Sequence, residues 1–230
     1  MSTRKGRRRS SATKRKTKTM KDPIEGLKNP QIKRLAYRAG VQRIDGGIYD
    51  MVRKIIHERS DKLVGKTLIF TTNSKRKTVS VEDLQGALES EGLYLMAGGN
   101  TAKEFRGCKA RPKKTFKVGA KKHRFRPGTV ARRQITYNQK NSDCLVFEQK
   151  PFKVFIRDLA ERKIKEWKIR DLKLRFKEDF FKLFQFVIEE YLVGLLRGAL
   201  RIAEHSKNQT VRPKDIALAD TLDVYSDRTI

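Results

Sequence analysis

Apolar residues keep a helical spacing through residues 29–92, and polar breaks divide this stretch into three predicted helices. A short helix begins at Asn29 and Pro30, because proline is favoured in a first helical turn, and ends at Gly40. A long helix covers about residues 48–73, and a third begins where Ser80 and Asp83 form a capping box. The apolar faces are formed by Ile32, Leu35 and Ala36, then Ile48, Met51, Val52, Ile55, Ile56, Leu63, Thr67 and Phe70, and finally Val81, Leu84, Ala87 and Leu88.

The second half of the chain predicts the same order of elements. One helix starts near Thr129, a second covers residues 152–160 with a charged extension, and a third covers about residues 177–206. Pro213 opens a closing helix, and the phrase SKRKTVSVEDLQGALES from Ser74 recurs as SKNQTVRPKDIALAD from Ser206. A unit with one long central helix cannot cover its own apolar face. We therefore interpret the second copy as the partner of the first, supplied by the same chain.

The remaining segments lack apolar periodicity. Residues 1–21 contain no acidic residue and are crowded with Lys, Arg, Ser and Thr, which predicts a disordered basic tail. Residues 100–124 contain Gly, Pro and Lys without a period and predict a basic linker. The predicted organisation is a tail at 1–22, a first folded unit at 23–99, the linker at 100–124 and a second unit at 125–230.

The charge balance indicates a polyanionic partner. The chain of 230 residues has 55 Lys and Arg against 26 Asp and Glu, a formal net charge of +29. Such a surplus is most often used to bind nucleic acid, and it matches the phosphates of about 15 base pairs of duplex. A ribosomal protein or a basic membrane-surface protein is the alternative that charge alone leaves open.

Several other classes of protein are not supported. Cys108 and Cys144 are far apart and lack C-x-x-C spacing, so we expect neither a disulfide framework nor a zinc site. The basic N-terminus has no apolar core after it, so no secretory signal is expected. The run FFKLFQFVIEEYLVGLL is interrupted by Lys182, Glu189 and Glu190 and does not predict a membrane span. We expect a soluble protein, intracellular or packaged in a particle.

No catalytic pattern is present either. SDKLVGKT ends like a phosphate-binding loop, but Ser60 stands where glycine is required, and the segment lies in a predicted helix with no strand before it. The three histidines are isolated from carboxylates and cysteines at ligand or triad spacing. The sequence predicts neither an enzyme nor a cofactor or metal site.

Longer strings resemble the core histones. NPQIKRLAYRAGVQRIDGGIYDMV and SKRKTVSVEDLQGAL are similar to the fourth core histone, without a gap from the tail to Gly99. RFRPGTVARRQI, LRF, EEYLVGLL and VRPKDIALA are similar to the third, over about residues 123–223. The chain thus resembles a viral core histone doublet, a histone four-like unit fused to a histone three-like unit, of the marseillevirus type of giant DNA virus. This resemblance implies an all-α protein whose two histone folds form an intramolecular handshake pseudo-dimer, with an additional N-terminal helix on the second fold.

The resemblance also implies how DNA is held, through arginines in the minor groove and loop side chains at phosphates, as in histone octamers. Arg43 and Arg175 match the minor-groove arginines. A clasped pair is expected to place Arg43 beside Thr210, and Arg175 beside Thr78. The other side chains implied at DNA are Arg126 and Arg133 near the additional helix, Lys75, Lys77, Lys207 and Arg212 in the loops, and Lys33 and Arg34. For any single lysine the alternative is a solvated surface charge.

Contacts between chains are implied at three places. Self-association is expected through His205, Asp215, Ile202, Leu218 and Leu222. An arginine–aspartate clasp between loop and helix is expected for Arg76 with Asp83, whereas Asn208 replaces the arginine in the second unit and leaves Asp215 without that partner. A surface for a two-B/two-A type histone doublet, with altered side chains, is expected at Lys66, Phe70, Asn73, Gly86 and Ser90. The long helix after residue 177 is apolar on more than one side, which suggests a second contact, unless its extra aromatics pack under the enlarged loop before it.

The resulting hypothesis is a structural DNA-packaging protein. Two doublets form the tetramer-like centre of a nucleosome-like particle and wrap duplex DNA without sequence specificity, because no base-reading constellation is present. The alternatives are a histone-fold scaffold in a DNA-bound regulatory complex and a basic ribonucleoprotein component. We expect the protein in the virion and the viral factory of the host cytoplasm, with the nucleus or chromosome as the alternative.

Overall fold

The computed structural model describes residues 26–93, 125–142, 144–167 and 174–222, together with the backbone of residues 106–107. Within these ranges the helices are α1 (Asn29–Ala39), α2 (Ile48–Asn73), α3 (Val81–Glu89), α4 (Thr129–Lys140), α5 (Gln149–Glu166), α6 (Glu178–His205) and α7 (Pro213–Thr221). Two-residue strands are β1 (Arg43–Ile44), β2 (Thr78–Val79), β3 (Arg106–Gly107), β4 (Cys144–Leu145), β5 (Arg175–Phe176) and β6 (Thr210–Val211). The predicted tail and most of the predicted linker lie outside the described residues.

The ends of the helices follow from local chemistry. Gly40 ends α1 in the left-handed conformation, with φ of 98°, and the next N–H, of Val41, donates to the carbonyl of Ala36. The repeated phrase starts α3 and α7 in the same way. Asp83 Oδ2 accepts the backbone N–H of Ser80, and Asp215 Oδ2 accepts that of Arg212, each at 2.8 Å. The predicted capping box of α3 is confirmed.

Short parallel strand pairs join the two halves. β1 pairs with β6 and β2 pairs with β5, so a loop of the first half lies against a loop of the second half in both cases. The register places Arg43 beside Thr210 and Thr78 beside Arg175, as the sequence predicts. A further pair, β3 with β4, places Arg106 beside Cys144.

The two halves share one hydrophobic core. The long helices α2 and α6 lie at its centre: α2 packs against α3, α5 and α6, while α6 also packs against α1, α3 and α7. Ile56 and Leu63 of α2, and Phe184 and Leu195 of α6, are completely buried in this single cluster. No helix within the described ranges is both long enough and apolar enough to cross a membrane.

The extra aromatic residues of α6 are used inside the chain. Phe176, in the loop before α6, lies with its ring centroid 5.6 Å from that of Phe180 and 5.4 Å from that of Phe181. Phe184 lies 6.2 Å from Phe152 of α5, and Phe180, Phe181 and Phe184 are at most 2% exposed, whereas Phe186, the fourth phenylalanine of α6, is half-buried. Near the end of α6, Ile202 is half-buried and His205 is exposed, so the predicted second contact of this helix stays a prediction. Phe180 and Phe181 pack against Phe176 of the preceding loop, as the alternative predicts for these two side chains.

Candidate nucleic-acid interface

The β1–β6 pair brings cationic and hydroxyl side chains from both halves to one edge. Arg43 is exposed and lies beside Thr210, and the pairing continues because the N–H of Asp45 donates to the carbonyl of Val211 at 3.1 Å. Lys207 and Arg212 are exposed on the same loop as Thr210. Guanidinium, ammonium and hydroxyl groups in this arrangement suit phosphate oxygens.

The β2–β5 pair repeats the arrangement at a second edge. The N–H of Arg175 donates to the carbonyl of Lys77 at 2.9 Å, and the N–H of Lys177 donates to that of Val79 at 3.1 Å. The backbone therefore fixes where Arg175 leaves the surface, while its side chain is exposed beside Thr78. Lys75 and Lys77 lie exposed on the same loop as Thr78.

The spacing of the two edges follows from the helix between them. β1 lies just before α2 and β2 lies just after it, and α2 has 26 residues. At 1.5 Å per residue the edges are about 39 Å apart. One turn of duplex DNA measures about 34–36 Å. The length of α2 is thus close to the distance after which the same groove faces the protein again.

A cleft of about 720 Å³ lies next to the β1–β6 edge, and we name it the α4 cleft. Gly40, Gln42 and Arg43 form one wall, residues 126–129 with Arg132 and Arg133 form the second, and Leu200, Glu204, Asn208 and Gln209 close it. Arg43, Arg126 and Arg133, predicted separately, are thereby brought together. Arg132 was missed by the sequence analysis, since the spacing of an exposed helix does not show which of two adjacent arginines faces a cleft.

Two of the predicted DNA contacts lie elsewhere. Lys33 and Arg34 are on α1, and neither lines the α4 cleft. The ammonium of Lys33 lies 5.8 Å from the ring centroid of Tyr37 and is otherwise exposed. Arg34 is half-buried. Neither side chain therefore joins the cations that the α4 cleft brings together.

The predicted loop-to-helix ion pair is present in the first half. Arg76 Nη2 lies 2.6 Å from Asp83 Oδ1, and Asp83 is only 2% exposed. In the second half the N–H of Asn208 donates to the carbonyl of Ala203, and Asp215 accepts the N–H of Arg212. The two copies of the phrase thus share the helix cap but differ in the clasp.

Two exposed apolar surfaces coincide with the predicted contacts between chains. On α2, Phe70 is 37% exposed, and its ring covers Gly86 so closely that an added Cβ would lie 3.1 Å from it. Lys66 Nζ lies 2.9 Å from Glu91 Oε1. Asn73 and Ser90 are exposed near the ends of α2 and α3. The second surface, at α7, exposes Leu218 by 47% and Leu222 by 58%, with Ile202 and His205 also accessible. Asp215 is 3% exposed and does not lie on that surface.

A buried polar cluster, which the sequence analysis did not predict, joins α1, the segment from Asn141 to Phe147 and α6. The carboxylate of Glu189 accepts the N–H groups of Val146 and Phe147 at 2.9 Å and the amide of Gln185 at 2.7 Å. Arg38 Nη1 lies 3.8 Å from this carboxylate, and its Nη2 donates to the carbonyls of Asn141 and Cys144. Burial raises the pKa of Glu189 to about 7, although these donors and the Arg38 charge lower it. The only signal in the sequence was a glutamate within an apolar run.

Comparisons with known proteins agree with this architecture. The profile of the core histone domain, which is shared by all four types of core histone, matches residues 127–222. A histone H4 of Entamoeba histolytica is 37% identical over 80 residues, which cover 35% of this chain and 68% of that protein. The chain belongs to the core histone family. A histone of Methanopyrus kandleri, known from its crystal structure, aligns with 88% of this histone chain and 99% of its own, with a TM-score of 0.51 and 15% identity, which shows a common fold.

Proteins of the core histone family are structural and package DNA rather than catalyse reactions, and membership of this family gives the chain a structural role of that kind. The fold implies pairing between histone folds and binding of DNA. Over the described residues, no group of three or more His, Cys, Asp or Glu side chains is placed to hold a metal ion.

Proposed function

We propose that the chain is a histone doublet whose two histone folds pair head to tail within one polypeptide and wrap duplex DNA without sequence specificity. The observation that carries the proposal is the reciprocal pairing of loops, β1 with β6 and β2 with β5. This pairing assembles each phosphate-facing edge from both halves. A fold likeness that covers 88% of the chain also extends over both halves.

The geometry suits bending of DNA around the protein. Arg43 and Arg175 enter the minor groove at points where it faces inward, which recur about every 10 base pairs on wrapped DNA. Threonine hydroxyls and lysines beside them bind the flanking phosphates. The separation of about 39 Å between the edges, set by α2, is close to one such repeat. That mode of binding is the one known for histone octamers, and here both contacts of a pair come from one chain.

We further propose that two doublets pair through Ile202, His205, Leu218 and Leu222 to form a tetramer-like centre. The exposure of Leu218 on α7 and of Leu222 directly after it supports this pairing. A separate doublet of two-B/two-A type covers the surface at Phe70 and Gly86 and completes a nucleosome-like particle. From the resemblance to viral doublets we also propose that the particle belongs in the virion and the viral factory, with the nucleus as the alternative.

Nuclease digestion of particles reconstituted on mixed-sequence DNA, with and without a second basic doublet, tests the proposal. Wrapping predicts a protected fragment of about 100 base pairs or more, irrespective of sequence. A short footprint at one sequence identifies a regulatory scaffold instead, and a preference for RNA identifies a ribonucleoprotein component. Mass measurement of the same particles gives the number of chains.

Arg175→Ala tests the assigned contact within that experiment. Its side chain is exposed, so the loss of the guanidinium leaves the fold intact but weakens the hold on DNA, and digestion then trims the fragment further. Arg162→Ala is the matched control, because Arg162 is exposed on α5 and pairs only with Asp158 among the described residues. An Arg175→Ala pattern identical to that of the control removes Arg175 from the binding surface.

A further inference from the structure

The α4 cleft concentrates positive charge that the fold itself does not neutralise. Its walls contribute Arg43, Arg126, Arg132 and Arg133 against the single carboxylate of Glu204, a formal excess of three positive charges. Within the described residues no carboxylate lies at ion-pair distance from these four arginines. Like charges held this close repel one another, and a bound polyanion relieves that repulsion.

The lining is also suited to oxygen ligands. Guanidinium groups present planar pairs of donors that match a phosphate, and Asn208, Gln209 and Thr129 add neutral donors around them. The guanidinium of Arg133 lies over the ring of Phe125, 4.6 Å from its centroid, in a cation–π contact. The walls come from both halves of the chain, so the cleft exists only when the halves are paired.

We propose that the α4 cleft is a single site for clustered phosphates, in which Arg132 and Arg126 bind the ligand together with Arg43. Clustered phosphates have two sources, the backbone of duplex DNA and free inorganic polyphosphate. For the DNA source the inference rests on the proposed function, and it adds Arg132 to the predicted contacts. For the free polyanion it requires no wrapping.

The test uses the full chain, its double variant Arg126→Ala/Arg132→Ala and the control Arg162→Ala/Lys165→Ala. The control also removes two positive charges, from exposed positions on α5 that do not line the cleft. Affinity for duplex DNA is measured against salt concentration. Each lost phosphate contact lowers the slope of log K against log salt by about 0.9, so the cleft variant is expected to lose about two units of slope and the control almost none. Titration with short inorganic polyphosphate is expected to show at least a tenfold weaker affinity in the cleft variant.

The two titrations distinguish duplex DNA from free polyphosphate as the ligand of the cleft, and they test the cleft separately from the proposed function. A reduced DNA slope with unchanged polyphosphate affinity supports the DNA backbone as ligand, and the reverse supports the free polyanion. If the cleft variant matches the control in both titrations, the cleft is not a phosphate site. Failure of the unaltered chain to bind duplex DNA refutes the proposed function alone, because the polyphosphate titration still decides the cleft. Circular dichroism of all three proteins confirms that the fold is retained.

Discussion

At the scale of the residue, the two loops after the long helices each hold a lysine in a backbone conformation that disfavours it. Lys75 has φ of 52° and Lys207 has φ of 55°, and they are the only non-glycine residues with positive φ in the part of the chain described. The left-handed region costs a non-glycine residue about 1–2 kcal/mol. Glycine would avoid this cost. Both lysines lie beside the predicted phosphate contacts, which gives the side chains a function that offsets the strain.

Replacement of Lys75 by glycine is therefore expected to separate stability from binding. The variant loses the strain of about 1–2 kcal/mol and gains the unfolded-state entropy of glycine, about 0.5–1 kcal/mol, so its net stability changes little or rises. Lys77→Gly loses the same charge from the same loop but has no strain to relieve. Urea denaturation is expected to find Lys75→Gly more stable than Lys77→Gly by about 1–2 kcal/mol.

Binding supplies the second half of this test. Both variants are expected to bind duplex DNA with a salt slope reduced by about one unit, because each loses one phosphate contact. Equal stabilities would show that Lys75 is not strained. An unchanged slope for Lys75→Gly would show that its ammonium does not face DNA.

At the scale of the element, the helices were predictable and some of their contacts were not. The bounds of α2, the start of α7 and the end of α1 at Gly40 follow from apolar spacing, proline and glycine, which act within a few residues. The strand-pair registers followed from the repeated phrase, because a head-to-tail pair must bring its loops together. The pairing of β3 with β4 and the Glu189 cluster join residues about 40 positions apart, and no local spacing encodes such contacts.

The same limit applies to the candidate site. Arg43 and Arg175 were predicted because they lie in strings that resemble a known family. Arg132 was missed because its role depends on how α4 lies against the first half of the chain. What covers the aromatic residues of α6 was left open, because helical periodicity shows that a face is apolar but does not show what packs on it.

The loop-to-helix clasp predicts an asymmetry between the two copies of the repeated phrase. Arg76→Ala leaves the buried carboxylate of Asp83 without its charged partner, retaining only the bonds from Ser80. A hydrogen bond to a charged group contributes about 1.5–3 kcal/mol, and the 40% exposure of Arg76 reduces this to about 1–2 kcal/mol. Asn208→Ala, at the corresponding position of the second copy, removes no such pair. Urea denaturation is expected to show the loss for Arg76→Ala alone, and equal losses would contradict a stabilising clasp.

At the scale of the whole molecule, Glu189 makes stability depend on pH. Its folded-state pKa of about 7 lies above the ordinary value of 4.5, so the unfolded chain releases the proton more readily. Its contribution to stability is complete below about pH 4.5 and is lost as pH rises to about 7, for a total on the order of 3 kcal/mol. Glu189→Gln has no titrating group at this position. Between pH 5 and pH 7.5 its free energy of unfolding is therefore expected to fall by about 2–3 kcal/mol less than that of the unaltered protein. Parallel profiles for the two proteins would show that the carboxylate stays ionised throughout this range.

Assembly of two chains depends on apolar surface that the fold leaves exposed. In our proposal Leu218 and Leu222 supply this surface, because Phe180, Phe181 and Phe184 of α6 are buried inside the chain. Leu218→Asp/Leu222→Asp places two charges on this surface, where a contact with a second chain would bury them unpaired. Val154→Asp is the control, because Val154 is 55% exposed on α5, away from α7. Light scattering is expected to give the mass of two chains for the unaltered protein and the control, and of one chain for the α7 variant. Retention of the dimer by the α7 variant would mean that two chains meet through a different surface.

The same variant leaves both strand-pair edges unchanged. Its single chains are therefore still expected to bind duplex DNA, and nuclease is expected to protect a fragment about half as long as that protected by the unaltered protein.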